Sequence, residues 1–335
     1  MNNNVYIIAE LSANHNNDFD LTVKTIEAMA AAGADAVKVQ TYTADSLALN
    51  IDNEFFGPKK DGLWKGYRPY DLYQEASMPY DWQPKLKKIT EDLGLDFFSS
   101  PFDIEGVDFL EEMNVPKYKI ASFEITDIAL IEYTASKGKP IIISTGVAEI
   151  EDIERAVQAC RKVGNVDITL LKCTSQYPAP IEMANLSTIP DIRERFGVKV
   201  GLSDHSPGYI VPVSAVALGA RVVEKHFILD RSVGGPDSSF SMEPHEFKEM
   251  VDHVRQVEKT LGRVNYEISD SDKLRRRSLF VVGDMKIGEE FSFGNVRSLR
   301  PGNGLHPMHL NDIIGKKAKI EIKGGTPLSF DLIDE

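Results

Sequence analysis

Two lysines interrupt apolar stretches that are typical of covered β-strands, and two histidines stand where such stretches end. His205 follows an apolar run in G-L-S-D-H-S-P-G, and His226 closes R-V-V-E-K-H. Lys38 and Lys119 interrupt the apolar stretches A-V-K-V-Q and Y-K-I-A-S. An ammonium on a covered strand is costly unless an anion meets it. These residue types suit a metal ion beside an anion site.

The two lysines admit two interpretations. For either alone, pairing with a carboxylate of the fold, or an exit of the ammonium to solvent, explains the residue equally well. Because both stand on different predicted strands near one rim, a phosphate or carboxylate ligand is the favoured partner. Ser122, Ser144 and Ser203 follow neighbouring strands and would add neutral donors to a phosphate.

The two histidines close adjacent predicted strands, which predicts a divalent metal site. Two imidazoles with water and substrate oxygens suit Mn²⁺, Co²⁺, Fe²⁺ or Zn²⁺. A catalytic Zn²⁺ normally takes three protein ligands, and the sequence offers no secure third. We therefore expect Mn²⁺ at His205 and His226, with Mg²⁺ or Co²⁺ as alternatives, and Asp204 as support for the His205 ring. An isolated histidine of a core or rim is the competing interpretation.

These residues lie in a regular alternation of apolar strands and amphipathic helices. The Val- and Ile-rich runs are typical of parallel strands covered on both faces, and most of the intervening helices end near a glycine. Eight such units predict an α/β protein with a (β/α)₈ TIM barrel. A doubly wound sheet is the alternative, but the Gly-rich first turn typical of it is absent. The predicted strands are 5–10, 36–40, 96–99, 118–121, 140–144, 168–173, 198–202 and 221–225.

The chemistry of such a barrel lies at the carboxyl ends of its strands. All eight predicted strands deliver polar residues there, which is more than a structural protein needs. The long connection 41–80 carries Trp64 and several tyrosines. A long excursion at this end of a barrel predicts the wall of a substrate pocket; a surface insertion without function is the alternative.

The sequence changes character after a predicted closing helix at 244–261. Residues 1–262 are predicted to form the barrel domain and 263–277 a linker. Residues 278–335 contain short strands separated by glycine turns, which predicts a small β-rich domain.

Composition and charge limit the classes of binding partner that the protein can have. The net charge of −13 gives no general basic surface for nucleic acid. Cys160 and Cys173 are the two cysteines, which is no disulfide framework and fits a reducing compartment. The N-terminus lacks the charged start of a signal peptide, and no apolar run approaches the length of a membrane span. We expect a cytoplasmic protein without nucleic-acid or membrane partners.

The motifs at the predicted strand ends resemble those of the nonulosonic (sialic) acid synthases, which condense phosphoenolpyruvate with an N-acetylated amino sugar. The C-terminal residues resemble the antifreeze-like SAF domain, of β-clip type, that ends these synthases. The resemblance runs the whole length and is carried by A-E-L-S-A-N-H-N (9–16), V-K-V-Q (37–40), S-S-P-F-D (99–103), K-I-A-S-F-E (119–124), S-T-G (144–146), K-C-T-S-Q-Y-P (172–178), G-L-S-D-H-S-P-G (201–208), E-K-H-F (224–227), G-P-D-S (235–238), R-P-G-N-G (300–304) and I-I-G-K (313–316).

The resemblance implies roles for individual residues. His205 and His226 would bind the metal, and Glu10 or Glu124 would move protons at the sugar oxygen. It also implies a domain-swapped homodimer, in which Arg300 would reach the sugar of the neighbouring subunit. Phosphoenolpyruvate would be held by Lys38, Ser100, Lys119, Ser122, Ser144, Ser175 and Ser203. The sugar would be faced by Glu10, Gln40, Glu124, Tyr177 and Asp237.

Within this family, A-E-L-S-A-N-H-N and D-S-S-F-S-M-E-P resemble the branch that makes pseudaminic acid from 2,4-diacetamido-2,4,6-trideoxy-L-altrose. Asn17, Leu11-Ser12-Ala13 and Ser175 depart from the pattern of N-acetylneuraminate synthases. An N-acetylneuraminate or legionaminate synthase is the alternative. From other classes, a metal aldolase or phosphate-sugar isomerase would explain the lysines and histidines, and a carbohydrate- or ice-binding protein would explain only the C-terminal domain.

Overall fold

The computed structural model describes residues 4–334. The chain divides into two compact units, and the boundary along the sequence lies between Gly262 and Arg263. In the first unit, eight parallel strands close into a barrel in chain order, which confirms the predicted (β/α)₈ architecture. The strands are β1 (Tyr6–Glu10), β2 (Ala36–Thr41), β3 (Asp96–Pro101), β4 (Tyr118–Ile120), β5 (Ile141–Ser144), β6 (Ile168–Cys173), β7 (Lys199–Asp204) and β8 (Val222–His226).

Helices connect the strands as the glycine-terminated patterns predict, with three additions. Two short helices lie within the connection 41–80, and a third precedes β7, where Pro190 interrupts the apolar pattern. Proline is tolerated in the first helical turn, and Gly197 ends this helix in the left-handed conformation. The helices of the first unit are α1 (Phe19–Ala31), α2 (Ala44–Leu47), α3 (Pro69–Ala76), α4 (Gln83–Asp92), α5 (Ile104–Glu112), α6 (Ile128–Ser136), α7 (Ile150–Lys162), α8 (Thr188–Phe196), α9 (Ile210–Ala217) and α10 (Pro244–Leu261).

Alternation along each strand sorts side chains between two environments. Ile7 of β1 packs with Ile26 of α1 and Met250 of α10 in the layer between barrel and helices. The neighbouring Ile8 belongs to another cluster, with Phe98 and Leu171. Because successive side chains of a barrel strand point to opposite faces, a shift of one residue moves a group from the cavity side to the helix side.

Asp204 and Lys225 show the effect of this alternation on charged residues. They are register partners on β7 and β8, and the Lys225 ammonium lies 2.5 Å from Asp204 Oδ2. Asp204 also accepts hydrogen bonds from the backbone N–H and the hydroxyl of Ser206. The buried pair is thus satisfied without a ligand.

The second unit is small and β-rich. Strand β9 (Ser278–Val281) pairs antiparallel with β10 (Val296–Leu299), and isolated bridges extend the pairing. Two short helices accompany them, α11 (Asp270–Lys273) and α12 (Leu310–Ile313). Leu279, Val281 and Phe291 centre its own apolar core. Within residues 4–334 no helix has the length and apolar character needed to span a bilayer.

Lys225→Met leaves the buried Asp204 carboxylate without its ammonium. We expect the free energy of unfolding to fall by about 3–5 kcal/mol, as for other broken buried pairs, measured by urea denaturation. The control Lys248→Met removes the exposed pair with Asp252 and should cost less than about 1 kcal/mol. The double variant D204N/K225M should recover part of the loss; a K225M protein as stable as the wild type would contradict the assignment.

Candidate functional site

A cavity of about 370 Å³ opens at the carboxyl ends of the barrel strands. Every strand contributes a lining side chain, either from the strand itself or, as with Phe102 after β3, from the loop that follows it. The structure brings together most of the residues predicted for the site. Those that line the cavity are Glu10, Lys38, Gln40, Lys119, Ser122, Glu124, Ser144, Tyr177, Ser203, His205, His226 and Asp237.

Three predicted residues lie elsewhere. Ser100 is fully buried beneath Lys38, which donates a hydrogen bond of 3.4 Å to its hydroxyl. Ser175 Oγ lies 3.9 Å from Cys173 Sγ, and Cys173 lines the cavity. Arg300 belongs to the second unit, where it is exposed and precedes a cis peptide bond to Pro301.

The two predicted lysines share a buried cluster with two carboxylates. Lys38 lies 2.6 Å from Glu10 Oε2 and 3.8 Å from Glu224 Oε1, and Lys119 lies 3.9 Å from the same Glu224 oxygen. Lys119 also donates to the Ser144 hydroxyl at 2.7 Å. The interpretation of Lys38 as the partner of a carboxylate of the fold is therefore realised here.

Glu224 has no role in the sequence prediction, although it lies at the centre of this cluster. It accepts a hydrogen bond of 3.1 Å from Ser203, and its Oε2 has no hydrogen-bond partner in the part of the chain that the structure describes. Burial favours its neutral form, but the ammonium groups of Lys119 and Lys38 outweigh burial and lower the pKa of Glu224. The signal was available, because Glu224 precedes His226 by two residues and so shares its face of β8.

The predicted histidine pair is formed. The ring centroids of His205 and His226 are 5.1 Å apart. His205 Nδ1 lies 3.0 Å from the Thr174 carbonyl, and when Nδ1 carries the proton, the Nε2 lone pair is free. The expectation that Asp204 supports this ring is wrong, because Asp204 points one residue out of phase and binds Lys225.

The donor set fits a divalent ion held by two imidazoles. Burial and the neighbouring cations lower the pKa of His226 well below its ordinary value, which leaves a neutral ring. Its Nδ1 is shielded from solvent and finds no hydrogen-bond partner among the described residues. Among residues 4–334, no three histidine, cysteine or carboxylate side chains group with metal-binding geometry. Water or substrate oxygens would have to supply the remaining ligands.

Aromatic rings cover the histidine pair. The ring centroids of Tyr177 and His205 are 4.4 Å apart, and those of Phe240 and His226 are 4.9 Å apart. Trp64, from the connection 41–80, lies 5.7 Å from Tyr177 and donates its indole N–H to the Pro236 carbonyl at 3.1 Å. The connection contributes Tyr42, Leu47, Lys59, Trp64, Leu72, Tyr73 and Ala76 to the cavity wall.

The loop after β1 joins this wall to the barrel. His15 Nε2 lies 3.1 Å from the Ala76 carbonyl, and Asn17 donates to the Glu75 carbonyl at 3.0 Å. Ser12 donates to the buried Asp237 carboxylate at 2.5 Å. The segment from Ser12 to Asn17 therefore fixes both the connection 41–80 and the loop after β8.

Gly146 follows β5 where space is smallest. A Cβ there would lie 2.1 Å from Ser175 Oγ and 2.8 Å from Ser122 Oγ. The Gly146 N–H donates to the Ser122 hydroxyl at 3.1 Å. The glycine thus lets two predicted phosphate-side serines approach the backbone, which a larger residue would block.

Glu124 is a cavity carboxylate that no cation contacts directly among residues 4–334. Within the same residues its Oε2, which is shielded from solvent, has no hydrogen-bond partner. Burial raises the pKa of Glu124 to about 7, and the more distant Lys119 charge opposes the rise. A carboxyl group that titrates near neutrality is suited to proton transfer.

A closed eight-stranded barrel with histidines, lysines and carboxylates gathered at one end, followed by a small β-rich unit, defines a two-unit (β/α)₈ enzyme. Comparison with known proteins makes this specific. Residues 25–266 match the NeuB family and residues 276–334 match the SAF domain. The chain belongs to the NeuB family.

Individual relatives extend over nearly the whole chain. The chain is 47% identical to the pseudaminic acid synthase of Campylobacter jejuni, over 97% of this chain and 95% of that protein. It is 46% identical to the pseudaminic acid synthase of Helicobacter pylori, over 98% and 97%. The crystal structure of an N-acetylneuraminic acid (sialic acid) synthetase from Leptospira borgpetersenii, in complex with citrate, superposes with a TM-score of 0.71 at 34% identity, covering 81% of this chain and 89% of that chain.

Glu124→Gln should stabilise the protein more at pH 8.5 than at pH 5.5. A carboxyl group whose pKa rises from 4.5 to about 7 on folding costs nothing well below 4.5 and its full penalty above 7. The amide removes that penalty, so we expect the melting temperature to rise by a few degrees at pH 8.5. Glu27→Gln, at an exposed position of α1, is the control. An equal effect of E124Q at both pH values would refute the raised pKa.

Proposed function

We propose that this enzyme condenses phosphoenolpyruvate with 2,4-diacetamido-2,4,6-trideoxy-L-altrose to give pseudaminic acid and phosphate. The observation that carries the proposal is the convergence of two buried lysines, a set of serines and a histidine pair in one cavity. The names of the relatives from Campylobacter jejuni and Helicobacter pylori support the choice of sugar.

Phosphoenolpyruvate would bind at the lysine cluster. Lys38 and Lys119 supply the charge, and hydroxyl groups supply directional donors to the phosphate and carboxylate. A dianion at this place would take Lys38 from Glu10, which lies 2.6 Å away in the free protein. The serines of this subsite that line the cavity are Ser122, Ser144 and Ser203. Ser100, which accepts a hydrogen bond from Lys38, and Ser175, beside Cys173, would act from behind them.

Glu10 would respond to that exchange. Burial raises its pKa, and the Lys38 ammonium is the largest influence that opposes the rise. When the substrate phosphate engages Lys38, Glu10 loses that influence and binds a proton more readily. Gln40 donates to Glu10 Oε1 at 3.1 Å and would hold the carboxyl toward the sugar. Glu10 and Glu124 are therefore the candidates for proton transfer at the sugar oxygen.

The reaction needs an electrophilic aldehyde. A divalent ion, Mn²⁺ or alternatively Mg²⁺ or Co²⁺, would be held by His205 and His226 and would supply Lewis-acid polarisation of the aldehyde oxygen. C3 of phosphoenolpyruvate attacks the aldehyde carbon, and water adds to C2. The C2–O bond then breaks and phosphate leaves, while Tyr177 and Asp237 orient the sugar from the opposite loops.

Phosphate release from phosphoenolpyruvate should require both the diacetamido sugar and a divalent ion. His205→Ala and His226→Ala should each lower kcat by about a thousandfold, the equivalent of several kcal/mol of lost charge stabilisation. His245→Ala, on the exposed start of α10, is the control, and circular dichroism checks folding. A fully active H205A enzyme would overturn the role of the pair.

Two further readouts separate the alternatives. Bridging ¹⁸O in phosphoenolpyruvate should appear in phosphate if C–O cleavage occurs; label retained in the sugar acid would exclude this route.

A panel of sugars tests the N-acetylneuraminate or legionaminate alternative, which the similarity to the Leptospira synthetase supports. Faster turnover of N-acetylmannosamine than of the diacetamido sugar would show that the enzyme is an N-acetylneuraminate synthase instead.

The domain-swapped homodimer predicts complementation between two inactive variants. If Arg300 serves the partner's site, a mixed dimer of R300A and H205A contains one intact site. Co-expression at equal amounts should then restore about a quarter of wild-type activity, since half of the dimers are mixed. If Arg300 serves its own barrel, every site retains a defect and the co-expressed pair stays inactive.

A further inference from the structure

Lys59 reaches the cavity from the connection 41–80 and not from a barrel strand. Its side chain is half-buried, and its Nζ lies 4.9 Å from the centroid of the Trp64 ring. Burial lowers the pKa of Lys59, and no carboxylate of residues 4–334 opposes that effect. The ammonium is therefore partly withdrawn from water and stabilised chiefly by one aromatic face.

The backbone holds both residues in place. The Lys59 N–H donates to the Tyr67 carbonyl, and the Gly66 N–H donates to the Lys59 carbonyl, each at 2.9 Å. The Trp64 indole N–H is bound to Pro236, one residue before the buried Asp237. The backbone of Lys59 and the indole of Trp64 are therefore held in place before any ligand arrives, as a recognition site requires.

This part of the cavity differs from the lysine cluster. Trp64 packs on Tyr177, and Tyr177 packs on His205, so that rings connect Lys59 to the histidine pair. Lys38 and Lys119 instead contact Glu224 and serine hydroxyls. A single ammonium among aromatic rings lacks the additional donors that a dianion needs. It suits a neutral acceptor that carries an apolar group.

We infer that Lys59 and Trp64 form a recognition subsite for an N-acyl substituent of the sugar, remote from the aldehyde carbon. The ammonium donates to the acyl oxygen, and the indole packs against the acyl methyl group. This inference rests on the proposed function and adds the residues that determine its specificity. It also explains why the connection 41–80 supplies a charge to the cavity in addition to those of the strands.

The test compares Lys59→Met with two sugars that differ only at C4, the 2,4-diacetamido sugar and its 4-hydroxy counterpart. For the diacetamido sugar, K59M should lower kcat/KM by about 10- to 100-fold, as for a lost hydrogen bond to a charged group. For the 4-hydroxy sugar, K59M and wild type should agree within about twofold, because the contact is already missing. KM for phosphoenolpyruvate should not change. K59R should retain most of the activity, and K60M, at the exposed neighbouring position, serves as the matched control.

Two outcomes would overturn the inference: an equal loss with both sugars, or a rise in KM for phosphoenolpyruvate alone. Calorimetric titration of each sugar into wild type and K59M reads the same contact without turnover. Weaker binding of only the diacetamido sugar to K59M would support the subsite even if no phosphate were released. Absence of phosphate release by the wild type would instead refute the proposed reaction, so the two failures are distinguishable.

Discussion

The cost of burying charge is the constraint on which the site depends. Lys38, Lys119, Glu10 and Glu224 are all at most 5% exposed, and none of them could be charged there alone. Two ammonium groups and two carboxylates satisfy one another at distances of 2.6 to 3.9 Å. The barrel thus holds two ammonium groups at the cavity with a carboxylate partner for each in the free protein. In the proposed reaction, phosphoenolpyruvate would replace one carboxylate partner by another anion, so little of its binding free energy would be lost to uncompensated desolvation.

The alternation of side chains along each strand decides which charged residues face the cavity. Glu224 and His226 lie two residues apart on β8 and face the cavity, whereas Lys225 between them faces the helices and pairs with Asp204. β7 repeats the arrangement, with Ser203 and His205 inward and Asp204 outward. A cluster of consecutive polar residues in the sequence therefore separates into a site half and a structural half. The structural half is the ion pair between Asp204 and Lys225, which joins β7 to β8, the two strands that carry the histidines.

The barrel was predictable because its physical signals are local and repeated. Each covered strand is a short apolar run, and all eight observed strands overlap the predicted ones. Polar side chains at the strand ends then converge because a barrel has only one carboxyl end. Helix α8 escaped prediction because Pro190 breaks its pattern. Glu224 was missed for another reason. Its spacing from His226 places it on the cavity face of β8, but its pairing with two lysines from β2 and β4 is not visible in the sequence of β8.

The connection 41–80 shows where local signals end. Its aromatic residues predict a pocket wall, but which of them face the cavity depends on contacts with distant segments. Trp64 is fixed by Pro236, and α3 by His15 and Asn17 of the loop after β1. These contacts join three segments far apart in the chain, and no periodicity encodes them. In the proposed reaction, the strand ends would position the reacting groups and the connection would contact the sugar. The connection can change its side chains without disturbing the barrel, because connecting segments tolerate substitution better than the elements they join. Differences in sugar specificity within this family should therefore concentrate in such connections, and the lysines and histidines of the strands should carry the part of the reaction that the members share.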